Sequence, residues 1–243
     1  MNDLTNFLRI PLAHRGLYDN KYDENSLGAF KAAVERGYGI ELDVHFTKDG
    51  TLAVVHDNDL TRVAKLSRRV SEMTKEELAN TSLVHSKERI PTLDEVLEVV
   101  DGKVPLLIEI KVDGSFNERL PEAIMTLLDN YPDTNNIAIE SFNPYAIRWL
   151  NKKYPKKYPY GQLISHELGG IGKFARWMFK TLNIRFISKP SFIAFDVNFL
   201  PNKKLRRLCK RGKAVISWTI DNEEKRVLAL KETSNYIFEV IRP

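Results

Sequence analysis

The chain has 243 residues, 43% of them hydrophobic, with 37 Lys plus Arg against 32 Asp plus Glu and one cysteine. That balance excludes disordered and collagen-like classes, and a lone Cys209 excludes a disulfide framework or a multi-cysteine zinc site and leans towards a reducing compartment. No run approaches the roughly 18 consecutive apolar residues of a membrane span, and residues 1–12 lack the basic start and apolar core of a secretory signal, so a soluble cytoplasmic protein is expected.

In chain order, apolar β-branched runs alternate with amphipathic stretches. A strand is predicted over residues 10–14, a helix over 25–36, a strand over 39–45, and a short hairpin strand over 52–55 after the Lys48-Asp49-Gly50 turn. Residues 57–91 fit no strand–helix unit and read as an insertion carrying a small helix near 75–79. The alternation resumes with a helix over 93–100, a strand over 104–111, a helix over 117–130 and a strand over 136–142. A helix over 144–151, a strand over 160–165 and a helix over 172–182 follow, then a strand over 192–197 and a helix over 202–211. A strand over 214–218, a helix over 222–231 and a strand over 236–239 complete the series. Eight strands separated by helices predict parallel pairing with right-handed crossovers. The fold class is therefore α/β, a closed (β/α)8 TIM barrel formed by residues 1–243 as one domain, with an open doubly wound sheet as the alternative.

The net charge of +5 conceals an asymmetry, because residues 144–213 hold 17 Lys and Arg against Glu167 and Asp196 alone. Such segregation points to an anionic partner for one face, a solvated basic flank being the bland alternative. Within it Phe174, Trp177, Met178 and Phe179 are interleaved with Lys173, Arg176 and Lys180. The spacing is that of a helix packing its apolar face on the barrel. Docking on an anionic membrane surface is the other reading. No nucleic-acid-reading motif is present, and no nucleic-acid partner is expected.

In a barrel, the carboxyl ends of all strands open on one face, where barrel active sites lie. His14 and Arg15 end the first predicted strand, Glu41 and Asp43 the second, and His56 the hairpin that extends it. Glu109 and Lys111 end the third, Ser141 and Phe142 the fourth, and Trp218 the seventh. Glu41 and Asp43 are two apart in a strand and so point to the same side, and Glu109 brings a third carboxylate on the neighbouring strand. Carboxylates that close must retain a proton or share a cation. Three carboxylate oxygens without cysteine suit one hard divalent cation, Mg²⁺ or Ca²⁺, the alternative being salt bridges to Arg15 and Lys111. His14 and His56 bracket the site as a candidate acid/base pair, while His45, His85 and His166 lack such a setting and read as structural. Arg15 and Lys111 supply fixed positive charge for a phosphate. Together these groups describe phosphoryl-ester chemistry better than sugar or acyl chemistry.

The stretches carrying these residues are Ala13-His14-Arg15-Gly16, Glu24-Asn25-Ser26, Ile40-Glu41-Leu42-Asp43-Val44 and Val55-His56-Asp57-Asn58-Asp59-Leu60-Thr61-Arg62. Ile108-Glu109-Ile110-Lys111, Ser141-Phe142-Asn143 and Trp218-Thr219 follow in the same order. On them the chain resembles the glycerophosphodiester phosphodiesterase family, TIM-barrel enzymes that hydrolyse glycerophosphodiesters to glycerol 3-phosphate and an alcohol. The resemblance implies that Glu41, Asp43 and Glu109 ligate one divalent cation and that His14 and His56 exchange protons. It further implies that Arg15 and Lys111 hold the phosphate and that Phe142 and Trp218 line the pocket near the alcohol. Glycerophosphocholine or glycerophosphoethanolamine is the implied type of substrate, with a lipid-directed, lysophospholipase D-like enzyme at a membrane surface as the alternative. Two positions depart from the family pattern. The chain closes Tyr236-Ile237-Phe238-Glu239-Val240 where Gly-Ile-Ile-Thr-Asp is common, and Asp221 stands where Asn is common. Asn25 is also suited to cap the helix that follows it, as the bland alternative to a place in the site, and Asp221 is expected to cap a helix as well as the Asn it replaces.

Overall fold

In the computed structural model, which describes residues 4–131 and 136–243, the apolar runs form nine strands. They are β1 (Leu12–His14), β2 (Gly39–Phe46), β3 (Leu52–Val54), β4 (Leu106–Ile110), β5 (Ile137–Ser141), β6 (Tyr160–Ile164), β7 (Phe192–Asp196), β8 (Ala214–Ile220) and β9 (Asn235–Phe238). The helices are α1 (Thr5–Arg9), α2 (Leu27–Arg36), α3 (Thr61–Ala64), α4 (Lys75–Ala79), α5 (Leu93–Val100) and α6 (Arg119–Asp129), then α7 (Pro144–Lys153), α8 (Lys173–Lys180), α9 (Arg185–Ser188), α10 (Lys203–Lys210) and α11 (Glu223–Glu232). Strands β4 to β7 are buried at every position, as strands covered on both faces must be.

β1 pairs in parallel with both β2 and β9, so eight strands close on themselves and the open-sheet alternative is excluded. β3 lies outside that ring, antiparallel to the far end of β2. Leu12, Leu107, Leu163, Phe192 and Ile216 fill the barrel, and Phe7 of α1 packs among them without exposure. The α1 helix was not foreseen, and it covers the amino ends of the strands, where Asn235 Nδ2 donates to the carbonyls of Phe7 and Ile10. At β6 the backbone passes so close to its neighbour that a methyl group on Gly161 would lie 2.2 Å from the Phe192 ring.

The insertion has apolar packing of its own. Leu60, Val63, Val70, Met73, Leu78, Leu83 and Ile90 cluster with Ala53 and Val55 of the hairpin. Its helix α4 falls where the pattern placed it, because Thr74 and Glu77 form a reciprocal capping box at its start.

The structure departs from local readings of the sequence at three places, for identifiable reasons. Asn25 does not cap α2: Ser26 Oγ accepts from the Ala29 N–H, while Asn25, at φ +56°, turns its side chain inward. Asp221 does not cap α11 either, since Asn222 accepts from the Lys225 N–H and Asp221 pairs with the Lys225 ammonium. The predicted helix over 172–182 forms as α8, with the short α9 following outside that range, and α8 packs on the barrel through Phe179 and Met178 while the rest of its apolar face stays open. Only Phe179 is buried, whereas Phe174 is 74% and Trp177 51% exposed. Among the described residues no helix is long and apolar enough to cross a membrane.

Candidate active site

Strand register decides which acids meet. Asp43 of β2 stands opposite Glu109 of β4, and Glu41 lies two residues earlier on the same face. Their carboxylate oxygens lie within 4.8 Å of one another, and all three side chains are buried. Lys111, one residue beyond β4, places Nζ 2.9 Å from Asp43 Oδ1 and 2.8 Å from Glu109 Oε2. Arg15 leaves β1 with φ +58°, followed by Gly16 at +82°. That left-handed turn aims the Arg15 N–H at Glu41 Oε2, 3.2 Å away. Its guanidinium Nε is 3.5 Å from Asp43 Oδ2, to which Asn25 Nδ2 also donates at 2.9 Å. The salt bridges to Arg15 and Lys111 that the sequence offered as an alternative are therefore formed.

Charge balance tests whether a cation belongs there. Burial would raise the Asp43 carboxyl, but Lys111 and Arg15 outweigh it and hold the group well below the usual carboxylate range. Glu41 goes the other way: burial and the charges of Asp43 and Glu109 push it well above its ordinary value. Burial likewise lifts Glu109 to about 6. Lys111 and Arg15 bring two positive charges against three buried carboxylates, which leaves the set short of positive charge. An all-oxygen donor set with that deficit fits a hard divalent cation.

The two histidines stand on either side of the cluster. His14 Nδ1–H donates to Glu239 at 2.9 Å, and its Nε2 faces Glu41 Oε2 at 3.9 Å. His56, placed by the hairpin, donates from Nδ1 to Asp57 at 2.6 Å, and burial together with Lys111 pulls its pKa down to about 4. Asp57 accepts from Arg62, which forks onto Glu24 with two bonds of 2.7 Å, and Glu24 accepts from Arg15 at 2.8 Å. The insertion is thus wired to the first strand through ionised groups. His45 holds this arm, with Nε2 2.9 Å from the His56 carbonyl and Nδ1 3.1 Å from Asp113. Phe142 and Trp218 meet edge to face at 5.6 Å over the mouth.

Several participants carried no flag in the sequence. Glu239 fills the polar position that the unusual last strand left open, and it also accepts from the Tyr18 hydroxyl. Asp57 and Arg62 sit inside a quoted motif without having been given a role. Glu140 is paired in register with Glu109, is buried, and is pushed well above its ordinary pKa first by that burial and then by Glu109. An acid in the middle of the apolar run Ile137–Ser141 was the available signal. A cavity of about 600 Å³ opens from His56, Glu109 and Lys111 past Phe142 towards α8.

Three buried carboxylates suited to a hard cation, with two imidazoles beside them, stand at the carboxyl ends of the strands, where barrel active sites lie. The model of the glycerophosphoryl diester phosphodiesterase family matches residues 14–237. A glycerophosphodiester phosphodiesterase of Caldanaerobacter subterraneus subsp. tengcongensis is 33% identical over 88% of this chain and 86% of its own. One from Bacillus altitudinis is 34% identical over 59% of this chain and 62% of its own. The crystal structure of the glycerophosphodiester phosphodiesterase of Thermotoga maritima superposes with a TM-score of 0.73 at 29% identity, covering 94% of this chain and 93% of that one. A phosphodiesterase of Oleispira antarctica, solved with the product sn-glycerol-3-phosphate, shares the fold with a TM-score of 0.81 at 21% identity, covering 96% and 93%. The chain belongs to the glycerophosphoryl diester phosphodiesterase family and is an enzyme of that class.

Proposed function

We propose that the protein hydrolyses soluble glycerophosphodiesters, such as glycerophosphocholine and glycerophosphoethanolamine, to glycerol 3-phosphate and the alcohol in a metal-dependent reaction. The observation that carries this reading is the convergence of three buried carboxylates, within 4.8 Å, between two imidazoles in a chain of this family. Glu41, Asp43 and Glu109 would hold Mg²⁺ or Ca²⁺, which when bound supplies positive charge against the phosphodiester oxygens. Arg15 and Lys111 face the same oxygens and offset the charge that develops as the phosphorus adds a fifth ligand. His56 donates through Nδ1 to Asp57, which leaves Nε2 free to accept the proton of the nucleophile, either water or the substrate's own 2-hydroxyl. His14, which donates through Nδ1 to Glu239 and turns Nε2 towards Glu41, is the group assigned to protonate the departing alkoxide. Phe142 and Trp218 form an apolar lip against the alcohol.

Release of glycerol 3-phosphate from both substrates, with Mg²⁺, with Ca²⁺ and with EDTA, tests the reading directly. His14→Ala and His56→Ala each lower kcat by about 10²–10⁴-fold. Near-normal turnover in both variants overturns the assignment of acid and base. A cytoplasmic location with peripheral attachment to anionic membrane through residues 144–213 belongs to the same proposal. It is supported by the excess of basic residues there and by the exposure of Phe174 and Trp177. Co-sedimentation with anionic vesicles at low salt checks it, and absence of binding removes it.

A further inference from the structure

Strand register carries the acidic row one strand further than the cation site. Asp43, Glu109 and Glu140 stand side by side on β2, β4 and β5, and residues paired across parallel strands point to one face. That face is the inner one, because Leu107 and Ala138, each two residues earlier, belong to the apolar filling of the barrel. Glu140 is 1% exposed, and its Oε2 is buried without a hydrogen-bond partner. Other acids of the mouth are met by donors: Glu24 by Arg15, Glu239 by His14 and Asp196 by Ser165. Lys111, the nearest cation on β4, is already engaged by Asp43 and Glu109. On the other side the register partner of Glu140 is Gly161, and the Phe192 ring occupies the place of the missing side chain.

A buried acid kept without a partner costs stability, so its presence calls for a reason outside the fold. Counting charge supplies one. Glu41, Asp43, Glu109 and Glu140 bring four negative charges, Arg15 and Lys111 bring two positive ones, and one divalent cation closes the difference. Three carboxylates with the same cation would leave the set one charge positive. Glu140 stands outside the group whose oxygens lie within 4.8 Å of one another, so it acts through Glu109 and through the field they share. In a buried setting that field is little screened.

We propose that Glu140 is a positioning residue for the cation, a fourth buried negative charge that raises the affinity of the Glu41–Asp43–Glu109 site for a divalent ion at the expense of the stability of the unloaded barrel. The proposal rests on the metal-dependent reading above and deepens it.

The test compares the parent with Glu140→Gln, which keeps the shape and removes the charge, and with Glu140→Asp, which keeps the charge. Binding of Mg²⁺ alone and of Ca²⁺ alone to the metal-stripped protein is measured by titration calorimetry at neutral pH. Melting temperature is followed in EDTA and in saturating metal. The dissociation constant for the ion should rise by about 10–100-fold in Glu140→Gln, with Glu140→Asp lying between it and the parent. In EDTA, Glu140→Gln should melt about 4 °C or more above the parent, and the advantage should shrink in saturating metal. A merely structural acid gives the opposite pattern, a lower melting temperature with and without metal at unchanged affinity, and that result overturns the proposal. So does a Glu140→Gln chain that fails to fold in EDTA where the parent folds. Equal ion binding by the parent and Glu140→Gln overturns the proposal alone and leaves the metal-dependent reading standing. A parent that binds neither ion overturns that reading and the proposal with it.

Discussion

On the β1–β4 side of the mouth, Glu41 and Asp43 are almost wholly buried and are met by Arg15, Lys111 and Asn25 at 2.9–3.5 Å. Across the mouth, beyond β6, Phe174 and Trp177 stand mostly in solvent among basic neighbours. The first wall is constrained from every direction, because a buried charge that loses its partner is left desolvated and uncompensated. The second is constrained hardly at all by the fold, because an exposed side chain contributes little to stability. Chemistry that every member of a family shares belongs on the first kind of wall, and substrate preference can drift on the second.

The contrast can be broken most severely at Asp43. Asp43→Asn strips the common partner from Lys111, Arg15 and Asn25, and a loss of about 3 kcal/mol in denaturant unfolding is expected, together with activity. A loss below about 1 kcal/mol would show the ion pairs to be incidental to the fold. A smaller effect is expected at Gly161, on the strand leading to the apolar wall. Gly161→Ala drives a methyl group into the Phe192 ring and costs about 1–3 kcal/mol, measured the same way.

A third prediction concerns acid. The Arg89 guanidinium and the Thr92 N–H hold the Glu95 carboxyl down at about 2, so its folded pKa lies below the unfolded one. Its contribution is complete above the unfolded value of about 4.3 and disappears as pH falls through the folded value. Stability should therefore decline between pH 4.5 and pH 2, and the deficit of Glu95→Gln, about 1 kcal/mol at pH 7, should vanish at the acid end of that window. The smallest change belongs to the open wall. Phe174→Ser with Trp177→Ser should leave unfolding within about 0.5 kcal/mol of the parent. A large destabilisation would mean that this face supports the barrel after all.

The sequence revealed the first wall and concealed much of the second for a physical reason. Glu41, Asp43 and Glu109 lie at strand ends, and in a closed parallel barrel the strand end alone fixes which face a side chain reaches. Periodicity showed that α8 has an apolar side, but amphipathicity reports spacing and not what covers the face, so Phe179 and Met178 pack on the barrel as expected while Phe174 and Trp177 do not. Asn25 had a cap as its bland reading because its chemistry suits one. Its backbone at φ +56° and the carboxylate of Asp43 gave it another use. Glu239 was illegible for a different reason: the pairing of β8 with β9 shifts register between Ser217 and Ile220, and no local pattern announces such a shift.

The union of β1 with β9 has a consequence for how the molecule is made. Asn235 grips the carbonyls of Phe7 and Ile10, and Glu239 grips His14, so contacts separated by 225 residues or more seal the ring. A nascent chain emerging amino end first carries β1 and β2 long before their partner exists. Until then β1 and β8 are open edges with unsatisfied N–H and C=O groups, able to pair with a neighbouring chain. Ring closure therefore joins partners from opposite ends of the chain, the kind of non-local pairing that makes a topology slow to fold. The imidazole of His14 acquires its Glu239 carboxylate only at that moment, so the environment of this one ring would serve as a clock for completion of the barrel.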